Sequence, residues 1–257
     1  MKKFGKKKTI GTVIMIIFLT IALVAVYISA YQSFAGSKSK QEFEEIEMLI
    51  SDSVEQTEEK SQQELAYEKY QTLLAENNDF IGWIKIEGTN VNYPVMQTVD
   101  NPNFYLKHNF DKQYSDYGVP YLDEECFVDL TNNLVIYGHN MKNGTMFGTL
   151  KKYRDKTFFE ENRYINVYMP GRIMKYEIFA AYVWDNRHIL LSLDFDNEDI
   201  CEAYIDMIFS TRKMNANIKS DLPVTKDDRI ITLSTCTGND DERYLVQGVL
   251  IYDSREQ

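Results

Sequence analysis

Cysteine, histidine and basic charge are scarce in this chain, and each scarcity removes a class of function. Three cysteines among 257 residues do not make a disulfide framework. No Cys-x-x-Cys or His-x-x-x-His spacing occurs, so the three or four clustered ligands of a zinc site are missing and no metal is expected. Phosphate-cradling glycine loops are absent as well, and nothing calls for a cofactor. Lys and Arg number 28 against 39 Asp and Glu, a formal net charge of −11, which argues against nucleic acid as a partner. There is no internal repeat and no second long apolar run.

The basic residues that are present crowd the start. Lys2, Lys3, Lys6, Lys7 and Lys8 precede an uncharged stretch from Thr9 to Ser37, predominantly apolar between Ile10 and Tyr31. That is the length of a membrane-spanning helix, and lysines on its N-terminal flank keep that end in the cytoplasm. A cleaved signal peptide is the competing reading; the run exceeds the usual apolar core of about 7–15 residues and no small-x-small cleavage site follows, which favours a retained anchor. Residues 1–8 are therefore expected as a cytoplasmic tail and 9–31 as a single-pass anchor in the cell membrane, with the rest outside. Setting the five lysines aside takes the formal charge from −11 to −16, leaving no polybasic patch. Residues 32–64 read as a polar, partly helical stalk with Phe43, Ile46, Ile50 and Val54 at helical spacing. Residues 65–257 read as the folded extracellular domain, entered by a helix carrying Ala66, Tyr70 and Leu73 and stopped at Asn77-Asn78-Asp79.

Beyond Phe80 the texture becomes short β runs between turn residues: Trp83–Glu87, Val91–Gln97, Val119–Leu122, Leu134–Tyr137, Tyr164–Met169 and Ile173–Val183. Ile230–Cys236 and Tyr244–Ile251 add a hairpin, for eight strands in all, enough to close a small barrel. The fold class is mainly β with added helices. Turns of helix are expected around Phe104–Lys107 and Phe147–Tyr153. An amphipathic helix, Asp199–Thr211, sets Ile200, Tyr204, Met207 and Ile208 on one face and ends at Arg212 and Lys213, where the helix dipole favours cations.

The hairpin carries the chemistry. If Cys236 and Arg243 face one another, Ser234 pairs with Leu245, Leu233 with Val246, Thr232 with Gln247 and Ile231 with Gly248; Cys236, Ser234 and Thr232 then share one face. A thiol beside a guanidinium ionises more readily, and the thiolate is the nucleophile. The plainer reading, a buried and inert cysteine, is the one that suits Cys126 and Cys201, between which a bridge is conceivable. Of the three histidines, His108 and His188 sit in polar loops and read as surface residues without a role. His139 follows Leu134-Val135-Ile136-Tyr137-Gly138, a strand closed by glycine, and a group at a strand end is aimed by a rigid sheet into a loop-lined cleft. Chemistry alone thus gives an exported cysteine enzyme using His139, Cys236 and Arg243.

The run Thr232-Leu233-Ser234-Thr235-Cys236 followed by Arg243 resembles the active-site signature of sortases, the cysteine transpeptidases of Gram-positive cell surfaces. Tyr137-Gly138-His139-Asn140-Met141 through Met146-Phe147-Gly148-Thr149-Leu150, together with Ile81–Thr89, Tyr93-Pro94-Val95 and Asn103–Leu106, is similar to the class B pattern. The likeness covers roughly residues 70–252. It implies a closed eight-stranded β-barrel with N-terminal helices and a helix inserted before the cysteine strand, where Asp199–Thr211 falls. It further implies that Cys236 attacks a threonine carbonyl in a sorting signal of the LPxTG or NPxTN kind, and that a peptidoglycan amine resolves the thioester. His139 would act as general acid and base and Arg243 as oxyanion or substrate stabiliser, with Ser234, Thr232 and Asn140 as substrate-binding candidates. Many sortases carry Asp directly after the cysteine; Thr237 stands there in this chain, so no aspartate is assigned a third catalytic part. The alternatives are a cysteine peptidase that only hydrolyses, a pilin-polymerising sortase, and a non-catalytic surface binding module.

Overall fold

The computed structural model of the chain describes residues 4–51 and 70–255. It divides into two units, Met1–Ile46 and Glu47–Gln257. Helix α1, Phe4–Ser51, is free of proline and runs 48 residues. Its apolar part, Val13–Lys38, has a mean hydropathy of 2.8. Those 26 residues rise ~39 Å as a helix, more than the ~30 Å hydrocarbon core of a bilayer. Large apolar side chains such as Phe18 and Tyr27 stand exposed along it. It is one helix long and apolar enough to cross a membrane, a test that an anchor and a signal sequence both pass. Within the expected stalk, helix continues to Ser51; Val54 and Ala66 lie outside the described residues.

The second unit is entered through helix α2, residues 70–76, which buries Leu73. It stops where the sequence places the stop. Asn77 is buried and donates from Nδ2 to the Tyr105 hydroxyl at 2.8 Å and the Phe110 carbonyl at 2.5 Å, while its Oδ1 accepts from the Asp79 N–H.

Nine strands follow: β1 Phe80–Lys85, β2 Asn92–Met96, β3 Tyr121–Leu122, β4 Asn133–Tyr137, β5 Tyr164–Met169, β6 Arg172–Asp185, β7 Asn217–Ile218, β8 Ile230–Cys236 and β9 Glu242–Asp253. Eight of them close a ring in the order β5-β1-β2-β3-β4-β8-β9-β6, because β6 pairs back to β5; two-residue β7 adds to the outer side of β6. The expected eight-stranded closure is therefore what forms. Pairs β2–β3 and β4–β8 are parallel and the others antiparallel. Irregularities in the long β6–β9 ladder, at Lys175/Tyr176 and Ile178/Ala180, supply the local bending and twist a small barrel needs. Ile84, Val135, Ile165, Tyr176, Ile231, Leu233 and Val246 are wholly buried in the core.

Between strands lie a 3-10 turn at Phe104–Leu106, a second at Leu150–Arg154, and helices α3 Lys156–Glu161, α4 Ile189–Ser192 and α5 Glu198–Ser210. Asp155, whose carboxylate accepts from Phe158 N–H, starts α3, a helix the hydrophobic pattern does not announce. Asn197 caps α5 by accepting from the N–H groups of Asp199 and Ile200. The buried stripe of α5 is Cys201, Tyr204, Ile205 and Ile208, turned slightly from the expected Ile200–Met207 face. It covers a polar network: Gln247 donates from Nε2 to the hydroxyls of Tyr204 and Thr232, both at 2.8 Å, and Thr232 donates to Asn133 Oδ1 at 2.7 Å. Cys126 and Cys201 are free, so no bridge joins them. Burial pushes the Cys126 thiol up to about 12, which leaves it inert.

Candidate active site

Strand β8 pairs with β9 in the register the hairpin loop demands. Cys236 faces Arg243, Ser234 faces Leu245, Leu233 faces Val246, Thr232 faces Gln247 and Ile231 faces Gly248. On its other side β8 runs parallel to β4, with Tyr137 opposite Ser234. The contact continues past the end of β4: Gly138 N–H donates to the Ser234 carbonyl at 3.1 Å and the Thr235 hydroxyl to the Gly138 carbonyl at 2.6 Å. His139 lies two residues beyond Tyr137 and Cys236 two beyond Ser234, so both side chains leave the same end of adjacent strands spaced ~4.8 Å apart.

A cavity of ≈ 240 Å³ opens there, lined by Cys236, His139, Arg243, Ser234 and groups contributed by three other segments, around Asn103, Tyr121 and His188. Of the three thiols, Cys236 is the exposed one. Arg243 donates from Nη1 to the carbonyls of Asp240, at 3.2 Å, and Glu242, at 2.9 Å, which holds the guanidinium over the hairpin end. The His139 ring is fixed by Nε2, 2.7 Å from the Leu106 carbonyl. A carbonyl only accepts, so Nε2 carries the proton and Nδ1 is the nitrogen left to exchange one. Burial lowers the imidazole below its ordinary value, and Lys107 adds to this, against the raising effects of the Leu106 carbonyl and Asp116. The neutral ring is thereby favoured at neutral pH.

The glycine that ends β4 has a packing reason. A Cβ on Gly138 would lie 2.7 Å from two atoms of the Phe147 ring, and Phe147 is fully buried and returns its N–H to the His139 carbonyl at 2.9 Å. Asn140 next in line donates from Nδ2 to the Cys236 carbonyl at 2.8 Å. Its amide thus ties the two catalytic-candidate segments together rather than lining the groove. Thr232 departs from the expected groove position: it shares the face of Cys236 but is wholly buried under α5, its hydroxyl spent on Asn133 and Gln247.

A family model described as the sortase domain matches residues 84–251. The chain belongs to the sortase family. It is 31% identical over 239 residues to Sortase B of Staphylococcus aureus (strain NCTC 8325 / PS 47), covering 92% of this chain and 91% of that one. Sortase B of Listeria monocytogenes serovar 1/2a is 35% identical over 179 residues, 68% of this chain and 71% of that one. The solved Staphylococcus aureus sortase B–substrate complex superposes with a TM-score of 0.69 at 28% identity, covering 84% of this chain and 97% of that chain. This sortase is of class B, and sortases of this kind are cysteine transpeptidases.

Several walls of the sortase groove were not legible in advance. Tyr121, whose hydroxyl donates to Asn103 Oδ1 at 2.6 Å, lines the same cavity as Cys236 and Arg243. Tyr137 shares the strand face of His139, a signal that i, i+2 alternation does contain. His188 is a correction. It is not an idle surface histidine, for it caps α4 by accepting the Leu191 N–H on Nδ1 and places Nε2 3.1 Å from Asp123 Oδ2, while lining the groove. His108 stacks on Phe104 with ring centroids 3.8 Å apart, on the turn that presents the Leu106 carbonyl.

Proposed function

We propose that this class B transpeptidase cleaves a sorting signal of the LPxTG or NPxTN kind on exported surface proteins, through a thioester on Cys236, and joins the threonine carbonyl to a peptidoglycan amine. The parallel register of β4 against β8 carries the reading, since it brings the exposed thiol of Cys236 and the ring of His139 to one groove with Arg243 across the hairpin. As the Cys236 sulfur attacks the threonine carbonyl its thiol proton passes to His139 Nδ1, which hands it to the departing amine; the incoming amine later surrenders a proton to Nδ1, and that proton returns to the Cys236 sulfur as the carbon–sulfur bond breaks. Arg243 donates to the oxyanion of each tetrahedral intermediate, a contribution whose removal typically lowers rate about 10²–10³-fold. Ser234, buried at the groove floor, contacts the bound peptide, and the N-terminal helix holds the extracellular domain, residues 65–257, at the cell membrane. The solved relative bound to its substrate supports the peptide half of this reading.

The test uses the full-length chain in detergent with quenched LPxTG and NPxTN peptides, with and without an amine acceptor, beside Cys236→Ala. Cysteine-dependent cleavage with an amine-ligated product is expected. Cleavage giving only the free acid at saturating amine identifies a hydrolase instead, and no cleavage of either peptide by the folded chain removes the catalytic assignment.

A further inference from the structure

The end of β6 and the segment that leads from it into α4 form one wall of the groove through Trp184, Asn186, His188 and Ile189, and the ends of β4 and β8 form another through Tyr137, Ser234 and Cys236. Behind both lies a carboxylate that reaches neither the groove nor solvent. Asp123, in the connection from β3 to β4, is wholly buried. Its Oδ2 accepts from the Tyr137 hydroxyl at 2.8 Å and faces His188 Nε2 at 3.1 Å, and its Oδ1 accepts from the Glu125 N–H at 2.9 Å.

The hydrogens settle how these groups are joined. The Leu191 N–H donates to His188 Nδ1 at 3.2 Å, so the proton of the ring is on Nε2, directed at the carboxylate. His188 therefore makes two bonds at once, one that starts α4 and one that ties α4 to the barrel. Tyr137 and His188 meet on a single oxygen, and their rings lie 6.4 Å apart. Glu124 Oε1 is 3.9 Å from the same His188 nitrogen, on the outer side. No other hydrogen bond to the side chain of His188 or Asp123 is found among the described residues, and the Asp123 backbone is itself held, its N–H on the Val135 carbonyl at 2.9 Å and its carbonyl accepting from Gln97 Nε2 at 2.8 Å.

From this arrangement we infer that Asp123 and His188 are positioning residues for substrate binding: the Asp123 carboxylate is a fixed post that sets the width of the groove by holding the His188 wall against the Tyr137 wall. The inference rests on the transpeptidase reading of the groove. Burial raises Asp123 above the ordinary carboxylate range, while the Glu125 N–H, the Tyr137 hydroxyl and His188 pull it down, so those donors are what keep the buried anion tolerable. When the tie is cut, the loop spends part of its time away from the wall. The apparent affinity for peptide then falls by the fraction of molecules in the competent arrangement, whereas a peptide once seated meets an unchanged Cys236.

The experiment measures KM and kcat of the full-length chain in detergent for whichever sorting peptide the wild type cleaves. His188→Asn keeps an α4 cap, since asparagine is a good N-cap, but is too short to reach Asp123; Asp123→Asn keeps the volume and removes the charge. Each is expected to raise KM about tenfold, equivalent to ~1.4 kcal/mol, with kcat within about threefold. The double variant is expected to raise KM no further than either single, since both cut the same tie. An unchanged KM in His188→Asn, a fall confined to kcat, or a double variant whose KM rise is the product of the singles would each overturn the inference. If Asp123→Asn does not fold, His188→Asn decides alone. A wild type that cleaves neither peptide is a failure of the proposed function; binding of the same labelled peptides to Cys236→Ala and to Cys236→Ala with His188→Asn then reads the tie, equal affinities refuting it.

Discussion

Gly138 is the sharpest place to test whether packing behind the strand end governs the chemistry in front of it. Replacing it by alanine sets a Cβ 2.7 Å from Phe147 Cγ and Cδ2, about 0.7 Å inside ordinary contact. The ring is fully buried and has no free direction to retreat. Overpacking of this kind costs ~1–3 kcal/mol. Against it, Gly→Ala at a position whose backbone is compatible gains ~0.4–1 kcal/mol from the unfolded chain, and Gly138 is not among the glycines of positive φ. The net loss is about 1–2 kcal/mol, or a fall in Tm of ~2–8 °C for a domain of this size. On the role proposed for His139 the effect on turnover should be larger, because the Phe147 N–H is bonded to the His139 carbonyl, and a displacement of order 1 Å at a catalytic group costs about 10² in rate. The assay is thermal unfolding and peptide turnover of Gly138→Ala, repeated in a Phe147→Ala background. There the clash is gone, so Gly138→Ala should become neutral or stabilising by a few tenths of a kcal/mol to about 1 kcal/mol. The same penalty with and without the ring, or wild-type Tm and turnover in the single variant, would refute the reasoning.

Three other outcomes are expected. In the native chain a thiol reagent should modify Cys236 and, on that timescale, neither Cys126 nor Cys201, which burial keeps high; denaturation should release all three, and fast labelling of more than one native thiol would contradict the packing described. NMR titration of His139 should give a pKa below the ordinary 6.5; Lys107→Met should raise it, by removing a cation that opposes the imidazolium and freeing Asp116 from its ion pair with Lys107, whereas Asp116→Asn should lower it. Asp253→Ala should cost about 1–3 kcal/mol in urea unfolding, since it removes the buried carboxylate to which the Arg172 guanidinium donates at both oxygens and leaves that guanidinium only its pairing with the more exposed Asp129. The Arg172 pairing depresses the Asp253 pKa, so this stabilisation is full above the ordinary carboxylate value near 3.9 and is lost as pH falls below it.

What the sequence discloses about this molecule divides along locality. The β8–β9 register follows from residue alternation and a six-residue loop, and every pair expected there is found. The adjacency of β4 and β8 does not follow, because a parallel pair separated by some ninety residues is set by the order of the whole barrel. His139 was nonetheless reachable, since an apolar strand closed by glycine points at it, while His188 was not, since its partner Asp123 is 65 residues away and nothing in the polar loop around either shows that one is buried. Thr232 fails in the opposite sense: alternation gives its face correctly, but only the tertiary placement of α5 shows that the face is open at Cys236 and roofed over four residue pairs earlier.

Closure of the barrel through β5 and β6 has a consequence for where such a domain can live. An open sheet presents a row of unpaired N–H and C=O groups that templates edge-to-edge association. Here each of the eight barrel strands has a neighbour on both sides over at least part of its length, the β2–β3 and β3–β4 contacts being the shortest at one and two residue pairs. A protein concentrated on a surface by a common tether meets its own copies far more often than one free in solution. With its sheet closed into a ring and only short stretches of strand left unpaired, this domain offers a neighbouring copy no long edge on which to extend a shared sheet.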